Sequence, residues 1–174
     1  SVGITINKVL NNLKNVENII INDIVDGNFP NHHPDPTDPK NLIQIQKIVK
    51  DNKCDVGLAF DGDGDRLGII DNNSNIIWAD RYMIILVEEI SKCYKNASII
   101  MDVKSSMVFF EEVTKMGCKP VMCKTGHSII KDKMKELNSP LSGEMSGHVM
   151  YKDNFYGYDD AMYVALRFLQ VLSK

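Results

Sequence analysis

Asp61, Asp63 and Asp65 stand at alternate positions in DVGLAFDGDGDRLGII, residues 55–70, separated by Gly62 and Gly64 and followed by Arg66. Carboxylates this close repel one another and converge only at a cost, which a divalent cation offsets. In extended chain, alternate side chains share one side. The glycines let the backbone curl, so that three oxygens meet at one point. Hard oxygen donors select Mg²⁺ or Ca²⁺ over zinc. The loop begins like an EF-hand, but Arg66 stands at its sixth position in place of Gly and Asn72 at its twelfth in place of Glu. That departure argues against a calcium cage. Three ligands from one loop leave coordination positions free, which suits Mg²⁺ shared with a phosphoryl oxygen, and Arg66 can grip the same phosphate through paired hydrogen bonds. The bland alternative is a solvated acidic turn. Against it, the apolar run Val56–Phe60 reads as a buried parallel strand, and α/β sheets bind ligands at the carboxyl ends of such strands.

Other segments carry weaker signals. KTGHSII sets Gly126, His127 and Ser128 at a helix start with Lys124 nearby. Free N–H groups there attract anions, whereas simple capping by Thr125 or Ser128 is the structural alternative. GEMSGHVMY puts Glu144, Ser146 and His148 at alternate positions between glycines, a mixed donor and acceptor set suited to hydroxyls. A polar hairpin turn accounts for it equally well. DVKSS ends a strand near Lys104, which can neutralise phosphate or move a proton, or simply lie on the surface. In HHPDP, the residues His32, His33 and Asp35 are potential metal ligands, but prolines in such loops more often serve structure.

These loops need a scaffold, and the sequence supplies one. Helix-period and strand-like segments alternate: a helix over 4–13, a strand at ENIIINDI, a Pro-rich loop, a helix starting at Asp38-Pro39, the strand DVGLAF, and a hairpin turning at Asn72–Ser74. Helices over 81–94 and 107–116, after TGHS and through DDAMYVALRFLQVLSK then frame strands at ASIIMDV, KPVMC and either side of GEMSGH. The order predicts an α/β chain of two consecutive α/β domains, residues 1–77 and 78–174, with mixed, largely parallel sheets flanked by helices. Both domains are expected to be incomplete, because the chain opens and closes on a helix.

A net charge of −3 without a basic stripe argues against nucleic acid, and no apolar run is long enough to span a bilayer. Cys54, Cys93, Cys118 and Cys123 match neither a zinc set nor a disulfide framework, which suggests a reducing, cytoplasmic setting.

Together, DGNFPNHHPDP, GLAFDGDGDR, DVKSS, KTGHS, GEMSGH and FYGYDD resemble the α-D-phosphohexomutase family, in its phosphomannomutase/phosphoglucomutase branch, over nearly the whole chain. The resemblance implies four domains around one cleft, of which this chain would be most of the second and third. It implies an isomerase that interconverts hexose 1-phosphate and 6-phosphate, of mannose or glucose, through a phosphoserine and a 1,6-bisphosphate. On that resemblance Asp61, Asp63 and Asp65 hold Mg²⁺ and Arg66 assists the phosphoryl group. Glu144 and Ser146 read ring hydroxyls, Lys104, His127 and His148 line the cleft, and His148 is a candidate for proton transfer. The family's T-A-S-H-N-P-type serine loop and R-x-S-G-T-E-P-type phosphate loop are absent here, so the piece alone is expected to be inactive without its first and fourth domains. Two rival readings are a haloacid-dehalogenase-like phosphatase with Asp61 as nucleophile, and a non-catalytic module that binds a cation and a sugar.

Overall fold

Val2–Leu10 forms the first helix (α1) in the computed structural model, which describes residues 2–14 and 16–174. Glu17–Ile24 is not the expected strand: it pairs with no other described segment, and Ile19 and Ile24 are exposed. A strand-like composition is a local signal, whereas a strand also needs a partner for its N–H and C=O groups. The next helix starts where its signal stands. The Asp38 carboxylate accepts the Lys40 N–H at 3.0 Å, Pro39 occupies the first turn, and Pro39–Asn52 (α2) follows, ending on left-handed Lys53.

Val56–Phe60 (β1), Leu67–Asp71 (β2) and Ile76–Ile77 (β3) form an antiparallel sheet in that order. This corrects the reading of β1 as a buried parallel strand: it is an outer, half-covered strand. The reason is connection length. Only residues 61–66 separate β1 from β2, and a parallel pair needs a crossover of a dozen residues or more. The strand buried on both faces is β2, with Ile70 against Leu42 and Val49 of α2, and Leu67 and Ile69 in the larger core on the other side. The β2–β3 turn falls where expected, with Asp71 Oδ1 accepting the N–H groups of Asn73 and Asn75.

The second layer alternates as predicted: Ala79–Cys93 (α3), Ser98–Asp102 (β4), Met107–Lys115 (α4), Lys119–Cys123 (β5), His127–Leu137 (α5), Leu141–Gly143 (β6), Val149–Tyr151 (β7) and Ala161–Leu172 (α6). Its sheet runs β5-β4-β6-β7, with β4 parallel to β5 and β6, and β7 antiparallel to β6. The carboxyl ends of β4, β5 and β6 therefore share one edge, where DVKSS, KTGHS and GEMSGH begin.

One apolar core crosses from β2 into this layer, joining Leu67 and Ile69 to Tyr82, Met83 and Leu86 of α3 and Phe168 of α6. Polar contacts reinforce the junction. Leu67 N–H donates to Gly147 O at 3.1 Å, the buried Tyr82 hydroxyl donates to Leu67 O at 3.1 Å, and Arg66 and His148 form an antiparallel bridge. Gly147 is required there: its φ is +95°, and a Cβ would sit 2.8 Å from Leu67 O. Gly147→Ala is expected to destabilise the fold by roughly 1–3 kcal/mol. A thermal denaturation midpoint equal to wild type would show that the two loops do not depend on this close approach.

Candidate active site

The acidic loop wraps around its first carboxylate. Asp61 Oδ1 accepts the N–H groups of Gly64, Asp65 and Arg66 at 2.9, 3.0 and 3.2 Å, and Oδ2 accepts Arg66 Nε at 2.7 Å. Gly64, at φ +82°, makes the turn, and the three aspartates converge by this curl rather than by strand alternation. Each offers one oxygen within 4.8 Å of the other two. The charges confirm the crowding. Burial raises Asp65 to about 6, and the neighbouring Asp61 and Asp63 carboxylates add to that against the opposing pull of His148. For Asp61, burial is outweighed by Arg66 and the N–H donors, which hold it below the usual carboxylate range. Arg66 neutralises one carboxylate of three, so the cluster retains the charge and the donor set for a divalent cation.

Arg66 is itself held from two sides, with Nη1 on Asp35 Oδ1 at 3.1 Å in addition to its Asp61 contact. Asp35 is braced in turn by the Thr37 N–H and hydroxyl at 3.0 and 2.7 Å. HHPDP is thus a structural loop that aims the arginine. Its histidines join no metal-ligand cluster among the described residues.

At the shared sheet edge, the fully buried Asp102 ties three loops together. Its Oδ1 accepts the Ser105 hydroxyl and Met145 N–H at 2.9 and 3.2 Å, and its Oδ2 accepts the Thr125 hydroxyl at 3.0 Å. The expected capping of α5 by Thr125 or Ser128 does not occur: Gly126, which has no side chain to cap with, is the cap residue, and Thr125 is committed to Asp102. Glu144 is buried, with Oε1 accepting Gly126 N–H at 2.5 Å and Oε2 accepting the Ser146 hydroxyl at 3.0 Å. Lys104 lies two residues past β4 on this edge, and it is exposed.

His148 meets the acidic loop. Its Nδ1 lies 3.5 Å from Asp65 Oδ2 and 3.0 Å from Asp159 Oδ2, and its ring stacks on His127 with centroids 5.2 Å apart. Burial disfavours charge on His148, but Asp159, Asp65 and Glu144 hold its pKa above the ordinary value. Asp61, Asp63, Asp65, Arg66 and His148 therefore form one contact group, linked through His127 to α5.

Residues 2–74 match the family model described as phosphoglucomutase/phosphomannomutase alpha/beta/alpha domain II, and residues 78–174 match that for domain III. The chain belongs to the phosphoglucomutase/phosphomannomutase family. Within it, a phosphomannomutase/phosphoglucomutase of Pseudomonas aeruginosa is 49% identical over 150 residues, 86% of this chain and 32% of that protein. A phosphomannomutase of Methanocaldococcus jannaschii is 40% identical over 87% of this chain and 33% of its own length. A solved phosphoglucomutase/phosphomannomutase family protein from Burkholderia thailandensis superposes with a TM-score of 0.86 at 45% identity, over 88% of this chain and 33% of that one. The chain thus spans about a third of the length of the family members it matches. No described helix is long and apolar enough to cross a membrane.

Of the organising carboxylates in this family member, Asp35 is foreseen from sequence only as a potential metal ligand, and Asp102 and Asp159 in no role. Each lies in a segment that carried the family resemblance, but Arg66 is 31 residues from Asp35, Thr125 and Met145 are 23 and 43 from Asp102, and His148 is 11 from Asp159, out of reach of a local pattern. Cation binding must displace a proton wherever Asp65 is protonated. Since Asp65 is raised to about 6, affinity for a divalent cation should be level above pH 7 and fall about tenfold per unit below pH 6. Calorimetric titrations from pH 5 to 7.5 with constant affinity would contradict this placement of Asp65.

Proposed function

We propose that this chain is the metal- and sugar-binding part of a phosphohexomutase, an isomerase that interconverts hexose 1-phosphate and hexose 6-phosphate of mannose or glucose. The observation that carries the reading is the junction of the acidic loop with the GEMSGH loop, where Arg66 bridges His148 and Asp65 faces its ring. Residues 1–77 then act as the metal-loop domain and 78–174 as the sugar-loop domain. A serine that carries the phosphoryl group, and a loop for the distal phosphate, would come from domains outside these 174 residues. The sugar 1,6-bisphosphate is the intermediate in this reading. Cys54, Cys93, Cys118 and Cys123 are all free thiols, in keeping with a cytoplasmic enzyme.

Asp61, Asp63 and Asp65 would hold Mg²⁺, which supplies positive charge to a phosphoryl oxygen when bound. The chain's own groups do the rest. Arg66 has its Nε and Nη1 fixed on Asp61 and Asp35, leaving Nη2 to donate to the same phosphoryl group without reorganising. His148 turns Nδ1 toward Asp159 and Asp65, so its other nitrogen takes the proton of the attacking sugar hydroxyl. Lys104 and His127 stand at the sheet edge, where their donors would face an anionic substrate. Ser146, fixed by Glu144, presents its hydroxyl oxygen to the sugar, and a rotation of either side chain would free the Glu144 carboxylate for a ring hydroxyl. The match of residues 2–74 and 78–174 to phosphoglucomutase/phosphomannomutase domains weighs against the reading of Asp61 as the nucleophile of a dehalogenase-like phosphatase.

In the full-length enzyme, Asp63→Asn should weaken Mg²⁺ binding and lower the rate on glucose 1-phosphate by roughly 10²–10³-fold, as for other losses of a transition-state charge partner. The isolated 174-residue chain should show no turnover. Mutase activity in the isolated chain, or an unchanged rate in the variant, sinks this assignment.

A further inference from the structure

His148 does not set its own orientation. Its neighbours on the β7 side, Val149–Tyr151, are a short buried strand, and its ring projects toward the acidic loop. What fixes the ring is a carboxylate from another segment. Asp159 pairs through its backbone with Met150 in an isolated antiparallel bridge and directly precedes Asp160, whose side chain caps α6 by accepting the Tyr163 N–H at 2.9 Å. At the same helix start, Ala161 N–H donates to Gly64 O at 2.9 Å, tying it to the acidic loop. Asp159 is therefore clamped from both sides by main chain, and its side chain is 7% exposed.

Three donors share that carboxylate. Oδ1 takes Lys131 Nζ at 2.6 Å, while Oδ2 faces His148 Nδ1 at 3.0 Å and His127 Nδ1 at 3.3 Å. His148 Nδ1 and Asp159 Oδ2 are both buried and lie 3.0 Å apart as a charge pair, although neither completes a hydrogen bond among the described residues. The contact that orients the ring is thus electrostatic, with Asp159 nearer than Asp65 at 3.5 Å. Lys131 fills the remaining side of the carboxylate. His127 is stacked on His148 and held by the same oxygen, which blocks rotation of the His148 ring from its face.

We infer that Asp159 is the positioning residue of the site, locking His148 with Nδ1 inward and the other ring nitrogen toward the reacting hydroxyl, and holding His127 and Lys131 in the same array. The inference rests on the proposed mutase reaction, in which His148 takes the proton and Asp159 touches neither sugar nor phosphate. A carboxylate behind an imidazole fixes which nitrogen carries the proton and how the ring is aimed.

The test is a double-mutant cycle in the full-length enzyme with glucose 1-phosphate. Asp159→Asn keeps the shape and removes the charge. It should lower kcat on the order of 10–100-fold with KM little changed, the usual range for loss of a partner behind a functional group. In a His148→Ala background the same substitution should cost almost nothing further, because its effect runs through that ring. A kcat equal to wild type, or the same loss in both backgrounds, overturns the inference. Imidazole ¹⁵N spectra of the wild-type protein provide a readout that survives poor folding of the variant. They should place the neutral-ring proton of His148 on Nδ1, and a proton on Nε2 also overturns it. A full-length protein without mutase activity refutes the proposed function, whereas the spectrum still decides the role of Asp159.

Discussion

Asp61 accepts three backbone N–H groups on one oxygen and the Arg66 guanidinium on the other, and the site is arranged around that carboxylate. A carboxylate 4% exposed is tolerable because both of its oxygens are hydrogen-bonded. The filling dictates the curl of residues 61–66, which in turn brings Asp63 and Asp65 alongside. Satisfying one acidic group therefore gathers an excess of negative charge that a divalent cation would offset. Arg66 emerges from the same contact already aimed, with Asp35 as its second brace.

The pattern recurs across the site. Asp102 joins the loops after β4, β5 and β6, Glu144 joins the start of α5 to Ser146, and Asp159 joins α5 to the ring of His148. Acidic side chains serve as struts between segments that meet only in the folded state. In the proposed reaction, donors facing a phosphoryl group or a hydroxyl would thereby be oriented in advance, with little reorganisation left for the reaction itself. Arg66 and His148 reach the acidic loop from two sides, and Asp35 and Asp159 hold each from behind.

The two sheets are joined by the same region that holds the candidate site. Leu67 and Ile69 continue the core of the second layer, and Gly147 allows the GEMSGH loop to lie against β2. A candidate site made from loops of both sheets gains the rigidity of both cores. Its contacts are also contacts that hold the fold together: the buried Tyr82 hydroxyl donates to Leu67 O and reaches within 3.5 Å of Gly147 O.

Sequence by itself determined what is local or compositional. The alternation of helices and strands after residue 79, the Asp38–Pro39 helix start, the Asn72–Ser74 turn and the convergence of three aspartates follow from periodicity, capping and charge, which act over a few residues. The direction of β1 was also written there, in the six residues that separate it from β2, although its apolar run points the other way. Tertiary structure alone decided the partners. Glu17–Ile24 has strand composition and no described strand beside it, Thr125 has a capping residue's chemistry and spends its hydroxyl on Asp102, and Asp159 matters because His127, Lys131 and His148 arrive at it. A side chain's type fixes what it can bond, but burial and chain crossing fix which group is within 3 Å of it, and no window of sequence contains that distance.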